Sequence, residues 1–296
     1  MTKGLDPDYN SLNKKETLSD NELSSKPQVL DHSKPQNNVV QDATFPTEIV
    51  PLPSKGLGYP VDSPLRSGQI EIKQMTTKEE EILSSPNLVQ KGLAIDKLLQ
   101  ELIVTEIDFN DLLLGDKNAI MLAARILAYG QEYETKVTCP VCGESQPETF
   151  NLNVFDEKDI DENILNSNNE YDFTFPSGVK IKFKLLTQGD EKNIESELKS
   201  IKQFQIKSGI KDPVQKDLSV RLKYVIIELE GKRDRAIIKT FVDTLPSKDS
   251  LALRRHIKEI NPGIDLSYII ECRSCGSESM ISVPITVNFF WPDARV

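Results

Sequence analysis

The chain contains four cysteines, and they form two matched CxxC pairs in "TCPVCGE" and "ECRSCGS". Cys139 and Cys142 make the first pair, and Cys272 and Cys275 make the second. Each pair offers two thiolates on a tight turn, which alone bind a metal weakly. The only cysteines available to each pair are those of the other. We therefore predict one shared four-cysteine site that holds a single structural zinc ion per chain.

Other chemistry of the same ligands gives two alternatives. Four thiolates leave no open coordination position for water or substrate, which argues against a catalytic ion. A redox CxxC normally follows a strand and opens a helix, whereas both pairs here are predicted between strands. The redox pair and an iron–sulfur cluster remain the alternatives to zinc. Neither histidine adds a ligand, because His32 lies in a predicted disordered tail and His256 in the middle of a predicted helix.

The elements that must position these cysteines occur twice along the chain. "IEIKQMTTKEEEIL" and "IKFKLLTQGDEKNI" each place a strand before a Thr that is followed three residues later by an acid. This spacing predicts a capping box at the start of a helix. Apolar stripes at helical spacing then lead in both cases to a strand that runs into a CxxC turn.

The repeated order predicts an α+β fold with two tandem related repeats, at 48–156 and 157–296. Each repeat ends in a zinc knuckle between strands, at 139–142 and 272–275. The alternative is that any α+β chain offers a hairpin and a helix twice, without duplication. The matched cysteine turns favour the duplication.

Two details of the second repeat are predicted from pattern alone. Leu218, Leu222, Val225, Ile226 and Leu229 fall at helical spacing and predict one continuous helix. The stretch "SMISVPITVNFF" predicts a returning strand over 279–290. The aromatic residues of "NFFWP" have two interpretations, a strand that packs inward and an anchor that docks on a partner.

Composition and charge already exclude some classes of function. A hydrophobic content of 38% is below the globular average, and the polar residues 1–47 are predicted to be a disordered tail. Short apolar islands in this tail could still dock on a partner. The net charge of −10 argues against non-specific binding to nucleic acid or to an anionic membrane. The absence of a secretory signal pattern agrees with reduced cysteines in a cytosol.

No motif of enzymatic catalysis stands out in the sequence. It has no Gly-rich phosphate loop, no GxSxG and no HExxH. We expect no catalytic residue, no small-molecule substrate and therefore no enzyme.

One long stretch of the chain resembles a known family. The run from "LPSKGLGYP" through "IEIKQMTTKEEEILSSPNLVQKG" and "DLLLGDKNAIMLAARILAYG" to "TCPVCGE" is similar to baseplate hub proteins of T-even-type contractile-tailed phages. The similarity is to the version carried by relatives that infect marine bacteria. It covers roughly 50–155 well and the second half more loosely, and "LLLGDKNAIMLAARI" is its most specific part.

The resemblance implies a structural or assembly role in the central hub of a phage tail baseplate. Its partners would be other hub or tail proteins, and no catalytic residue comes with the family. The protein would act in the host bacterial cytoplasm during assembly or in the virion. The alternative function is a zinc-ribbon protein that binds nucleic acid or serves transcription. The flanks "PVCGESQPE" and "RSCGSESM" are nearly uncharged or acidic, which counts against that alternative.

Overall fold

A computed structural model of the protein describes residues 46–209, 215–285 and 287–290. The predicted tail lies outside the described residues as far as Phe45, and so does Trp291. The first strand begins at Thr47, one residue before the predicted start of the first repeat.

The strands of the described residues pair in four small antiparallel sheets: β1–β2, β3–β4, β5–β6–β7 and β8–β9. Their bounds are β1 Thr47–Pro51, β2 Gln69–Lys73, β3 Glu132–Thr138, β4 Ser145–Asn151, β5 Tyr171–Thr174, β6 Lys180–Phe183, β7 Ile226–Leu229, β8 Ser267–Glu271 and β9 Glu278–Ser282.

Eight α-helices lie between these strands in the described residues, and the fold class is mixed α+β, as predicted. Their bounds are α1 Thr77–Ser84, α2 Pro86–Lys91, α3 Ala94–Leu102, α4 Leu114–Tyr129, α5 Gln188–Lys207, α6 Asp217–Val225, α7 Arg235–Asp243 and α8 Ser247–Ile260. None of the helices described is both long and apolar enough to cross a membrane.

The corner between β2 and α1 is fixed by the first predicted capping box. The backbone N–H of Thr76 donates to the Glu79 carboxylate at 3.0 Å, and Lys73 Nζ donates to the same carboxylate at 2.9 Å. Glu79 is buried. The carboxylate therefore satisfies a backbone donor at the helix start and is itself paired with a cation.

The corner between β6 and α5 carries the same contacts. The backbone N–H of Thr187 donates to the Asp190 carboxylate at 3.1 Å, and Lys184 Nζ donates to it at 2.8 Å. Lys73 and Lys184 each precede their threonine by three residues. Both corners thus use a lysine, a threonine and an acid at identical spacing.

The third strand position also matches, and it corrects one prediction. Phe183 of β6 pairs with Ile226 of β7, and Ile72 of β2 forms an isolated bridge with Ile103, the residue after α3. The predicted continuous helix through Leu229 is wrong, because α6 ends at Val225 and a strand follows. The backbone of Ile226–Leu229 bonds to β6 instead of continuing the helix.

Helix α4 contacts a segment of the first half, at Ser54 and Tyr59, and a segment of the second half, at Pro262. Asp116, fully buried, accepts hydrogen bonds from the backbone N–H of Ser54 at 2.9 Å, from Ser54 Oγ at 2.6 Å and from the Tyr59 hydroxyl at 2.6 Å. Burial raises the pKa of Asp116. At Gly115 an added Cβ would lie 1.7 Å from the Pro262 carbonyl oxygen, so only glycine allows this approach.

The segment Val287–Phe290 is a short 3-10 helix, so the predicted strand over 279–290 ends early, at Ser282. Phe289 and Phe290 are fully buried. The buried Arg125 of α4 donates its Nε–H to the Phe289 carbonyl at 2.7 Å. The docking interpretation is therefore wrong for these two phenylalanines, which belong to the core; Trp291 lies outside the described residues.

Candidate metal centre

The first CxxC turn closes the hairpin of β3 and β4. The Cys139 N–H donates to the Glu144 carbonyl at 2.8 Å, and the Gly143 N–H donates to the Cys139 carbonyl at 2.9 Å. Gly143 has φ +77°, a left-handed conformation that disfavours other residues. The Gly143 backbone thus turns the chain so that both thiols lie on one side of the hairpin end.

The second CxxC turn closes β8 and β9 with the same hydrogen bonds. The Cys272 N–H donates to the Ser277 carbonyl at 3.0 Å, and the Gly276 N–H donates to the Cys272 carbonyl at 2.8 Å. Gly276 has φ +66°. The two turns therefore present their thiols in equivalent ways from hairpins that are distant in sequence.

The structure brings all four predicted cysteines together. Their sulfur atoms lie within 4.8 Å of one another, with Cys139 Sγ 3.9 Å from Cys275 Sγ and Cys142 Sγ 3.6 Å from Cys272 Sγ. Zinc–sulfur bonds of ~2.3 Å give a tetrahedron with edges of about 3.8 Å. The four thiols are free of disulfide bonds and could hold a metal ion.

Gln146 of β4 joins the two hairpins beside the cysteines. Its side-chain amide donates to the Glu271 carbonyl at 3.0 Å and accepts from the Arg273 N–H at 2.8 Å. Gln146 is buried, although it is polar and lies in a strand. It therefore satisfies two backbone groups next to Cys272 and fixes the second turn against the first.

Aromatic contacts support the same junction. Phe150 of β4 and Tyr268 of β8 meet edge to face, with ring centroids 4.9 Å apart. Tyr133 of β3 meets Phe289 edge to face at 4.9 Å, and its hydroxyl donates to the Pro284 carbonyl at 3.1 Å. The two hairpins are thus held together by packing as well as by Gln146.

The backbone around the first turn favours a thiolate. The N–H groups of Cys142 and Val141 point to the Cys139 sulfur and lower the pKa of this thiol to about 6. Ser277 Oγ, 3.0 Å from Cys275 Sγ, lowers the pKa of Cys275. For Cys142 the N–H of Glu144 acts to lower the pKa, but burial and the adjacent thiols outweigh it and raise the pKa to about 12.

The opposed pKa shifts of Cys139, Cys142 and Cys275 arise because neighbouring thiols do not all ionise together. Thiolates, and not thiols, are the ligands of a metal. A divalent cation at the centre would displace the remaining protons and neutralise part of the negative charge. Within the part of the chain that the structure describes, these cysteines are the only group of three or more His, Cys, Asp or Glu side chains close enough to share a metal.

The remaining predicted features fall elsewhere. His256 lies in α8, as expected, and stacks on Phe173 with ring centroids 5.1 Å apart. His32 lies outside the described residues. Gln146 is the residue that sequence reasoning missed. Its signal was a glutamine at an inward position of a strand that alternates between buried and exposed residues.

The fold and the site define a class of protein, namely a small α+β protein whose two hairpins bring four thiols into one cluster. The family described as T4 bacteriophage base plate protein matches residues 57–291, and the chain belongs to that family. The family assignment by resemblance is therefore confirmed. Comparisons with curated proteins and with solved structures give no match. Membership implies a place in the phage tail and contact with other tail or baseplate proteins.

Proposed function

We propose that this protein is a non-enzymatic structural or assembly component of the baseplate hub, stabilised by one zinc ion at Cys139, Cys142, Cys272 and Cys275. The family match over 57–291 carries the proposal. The hub itself rests on the resemblance noted in "LLLGDKNAIMLAARI". Partners would be hub or tail proteins, encountered in the host cytoplasm during assembly or retained in the virion.

The donor set supports zinc over the alternatives. Four soft ligands with sulfur–sulfur distances of 3.6 and 3.9 Å suit a single tetrahedral ion. Thiolates that ligate separate irons of a cluster stand further apart than thiolates that share one ion. Both turns lie between strands, without the helix N-terminus that activates a redox cysteine.

The zinc ion would join the two repeats, 48–156 and 157–296. The matched corners at Thr76 and Thr187 and the matched cysteine turns support the duplication. Each repeat would supply half of the ligand set, so the fold of either end would depend on the other. Such a clasp serves a protein whose work is to hold partners in a fixed arrangement.

The surface near the cysteines supports a protein partner rather than nucleic acid. Glu144, Glu148, Glu271 and Glu278 lie on the strands and turns of the two hairpins, and Arg273 is the cation at the second turn. An acidic surface repels a phosphate backbone. Retention of the protein on DNA at physiological salt would instead support the zinc-ribbon alternative.

The test combines metal content with assembly. Protein purified without added metal should contain about one zinc ion per chain by elemental analysis, and no zinc or two ions would contradict the shared site. Co-expressed with the other baseplate proteins of its phage, the chain should co-elute with them in gel filtration. Elution as an unbound protein in that mixture would contradict the baseplate role.

A further inference from the structure

Four helices of the second half enclose a groove on the surface of the protein. It has a volume of about 690 Å³ and lies between α5, α6, α7 and α8. Apolar side chains from these elements line it: Ile201, Leu218, Leu222, Val242 and Leu245. Leu222 and Val242 are buried, whereas Leu218 is 47% exposed. An apolar floor with one exposed leucine offers a partner more contact area than an isolated surface leucine would.

A polar atom at the edge of this floor has no partner. Ser250 lines the groove, its residue is 6% exposed, and its Oγ makes no hydrogen bond among the described residues. A buried hydroxyl without a partner is unfavourable to the folded state. This Oγ is itself closed off from solvent, so the Ser250 side chain would have to rotate before a ligand in the groove could supply the missing hydrogen bond.

The rim of the groove is positive in a protein that is negative overall. Lys216, Lys223, Lys239 and Arg254 line it against Glu197 and Asp243, four cations against two anions, while the chain carries a net charge of −10. Lys223 pairs with Asp243 at 3.0 Å. Lys216 and Lys239 form no ion pair among the described residues. Two exposed ammonium groups therefore flank the apolar floor, and neither is paired with an acid of the described residues.

An apolar floor between helices with cations at its rim suits a helix that has one apolar side and acidic flanks. We propose that this groove binds an acidic amphipathic helix of another baseplate protein. The inference rests on the proposed function, since that function supplies a protein partner. A second copy is a poorer occupant, because the acidic helices α1 and α3 bury the apolar residues Leu83, Leu98 and Leu99 in their own core.

The first experiment uses a synthetic probe. A fluorescein-labelled 18-residue helical peptide would carry Leu along one side and Glu on both flanks, and a second peptide would carry Lys in place of Glu. We expect fluorescence anisotropy to give at least tenfold tighter binding of the Glu peptide at ~0.1 M salt. The preference should shrink at ~1 M salt, where the screening length falls to about 3 Å. Equal binding of the two peptides, or binding of neither, would overturn the inference.

The second experiment locates the binding. Lys216→Glu combined with Lys239→Glu should weaken the Glu peptide at least tenfold, and Leu218→Ser should weaken both peptides. Because all three side chains are exposed, these variants should fold. The matched control, Lys78→Glu combined with Lys136→Glu, changes two exposed lysines of the first half and should leave binding unchanged. Unaltered binding by the groove variants would show that the peptide binds elsewhere and would contradict the proposed groove site.

The third experiment separates this inference from the proposed function. In the co-expression assay, the Lys216→Glu and Lys239→Glu variant should lose a baseplate protein that the wild-type chain retains. If the variant retains every partner, the groove inference fails and the baseplate role stands. If the wild-type chain retains none, the proposed function fails. Self-association of the wild type that the variant abolishes would identify a second copy as occupant and would also overturn the inference.

Discussion

The two halves of this chain have the same contacts at the threonine corner and at the cysteine turn, and they differ in the helices between these two places. Thr76 and Thr187 begin equivalent helices and are 111 positions apart, whereas Cys139 and Cys272 occupy equivalent turns and are 133 positions apart. The second half therefore holds 22 more residues between the same two contacts. These residues lengthen α5 and add α7.

The difference separates two kinds of structure in one protein. The corners and the cysteine turns depend on a few hydrogen bonds with strict spacing, and both halves satisfy them. The helices between them differ in length, because helices of several lengths can bury an apolar side. The groove that we propose as a binding site lies between α5, α6, α7 and α8, and α5 and α7 contain these additional residues.

The largest expected effect tests whether the two cysteine turns are equivalent. Cys139→Ser and Cys272→Ser should each abolish zinc binding and should destabilise the protein to a similar degree. Each loss should be a large part of the ~10 kcal/mol that structural zinc contributes to small zinc domains. Elemental analysis and denaturant unfolding measure both quantities. The control is Ser274→Ala, an exposed non-ligand in the second turn, which should change neither. A stable, zinc-loaded Cys272→Ser protein would show that the turns do not share an ion.

The next effect concerns how the end of the second half is held by the first. Phe290→Ala should lower the free energy of unfolding by about 3–5 kcal/mol, because it empties a fully buried aromatic site. Thermal or denaturant unfolding provides the measurement, and Phe204→Ala, which truncates a side chain 71% exposed, is the matched control. If Phe290→Ala is as stable as the wild type, the assignment of these aromatic residues to the core is wrong.

A smaller effect tests the direct backbone contact between α4 and the segment after α8. Gly115→Ala should destabilise by about 3 kcal/mol, since its methyl group would meet the Pro262 carbonyl and both sides are backbone. Gly263→Ala is the control, because its added Cβ would stand 3.6 Å from the Gly115 Cα, an ordinary contact. Denaturant midpoints at constant m-value compare the two. Equal midpoints for the two variants would contradict the close approach.

The smallest effect compares the two corners directly. Glu79→Ala and Asp190→Ala should each cost ~1–2 kcal/mol, as the loss of a helix cap does. Burial opposes ionisation of Glu79, but hydrogen bonds from Thr76 and Lys73 outweigh it and lower its pKa from 4.5 to about 2. A lowered pKa stabilises the folded protein above pH 4.5, and this contribution disappears as the pH falls toward 2. Between pH 5 and 2 the free energy of unfolding should therefore fall less steeply with pH in Glu79→Ala than in the wild type. An equally steep fall in both proteins would contradict this assignment.

Local rules account for the parts of the fold that the sequence predicted. The capping boxes at Thr76 and Thr187 depend on a residue three positions away, and the hairpin turns depend on glycine and proline nearby. The clustering of the cysteines followed from ligand chemistry, because each pair lacked any other partner.

Distant contacts account for the parts that it did not predict. Residues 226–229 fit a helical pattern, and only pairing with β6 makes them a strand. Gln146 gains its role from backbone groups 125 and 127 positions away. Phe290 is buried in the core, and Arg125 holds the neighbouring Phe289 carbonyl from 164 positions away. A pattern read within one segment contains no information about such partners.

Arg125 and Phe289 are in contact but lie 164 positions apart in the sequence, which has a consequence for synthesis on the ribosome. The N-terminal half emerges first, so the thiols of Cys139 and Cys142 leave the ribosome before those of Cys272 and Cys275. Closure of the core and completion of the four-sulfur cluster wait until residues 272–290 have been synthesised. Until then the first pair of cysteines lacks the other half of its ligand set.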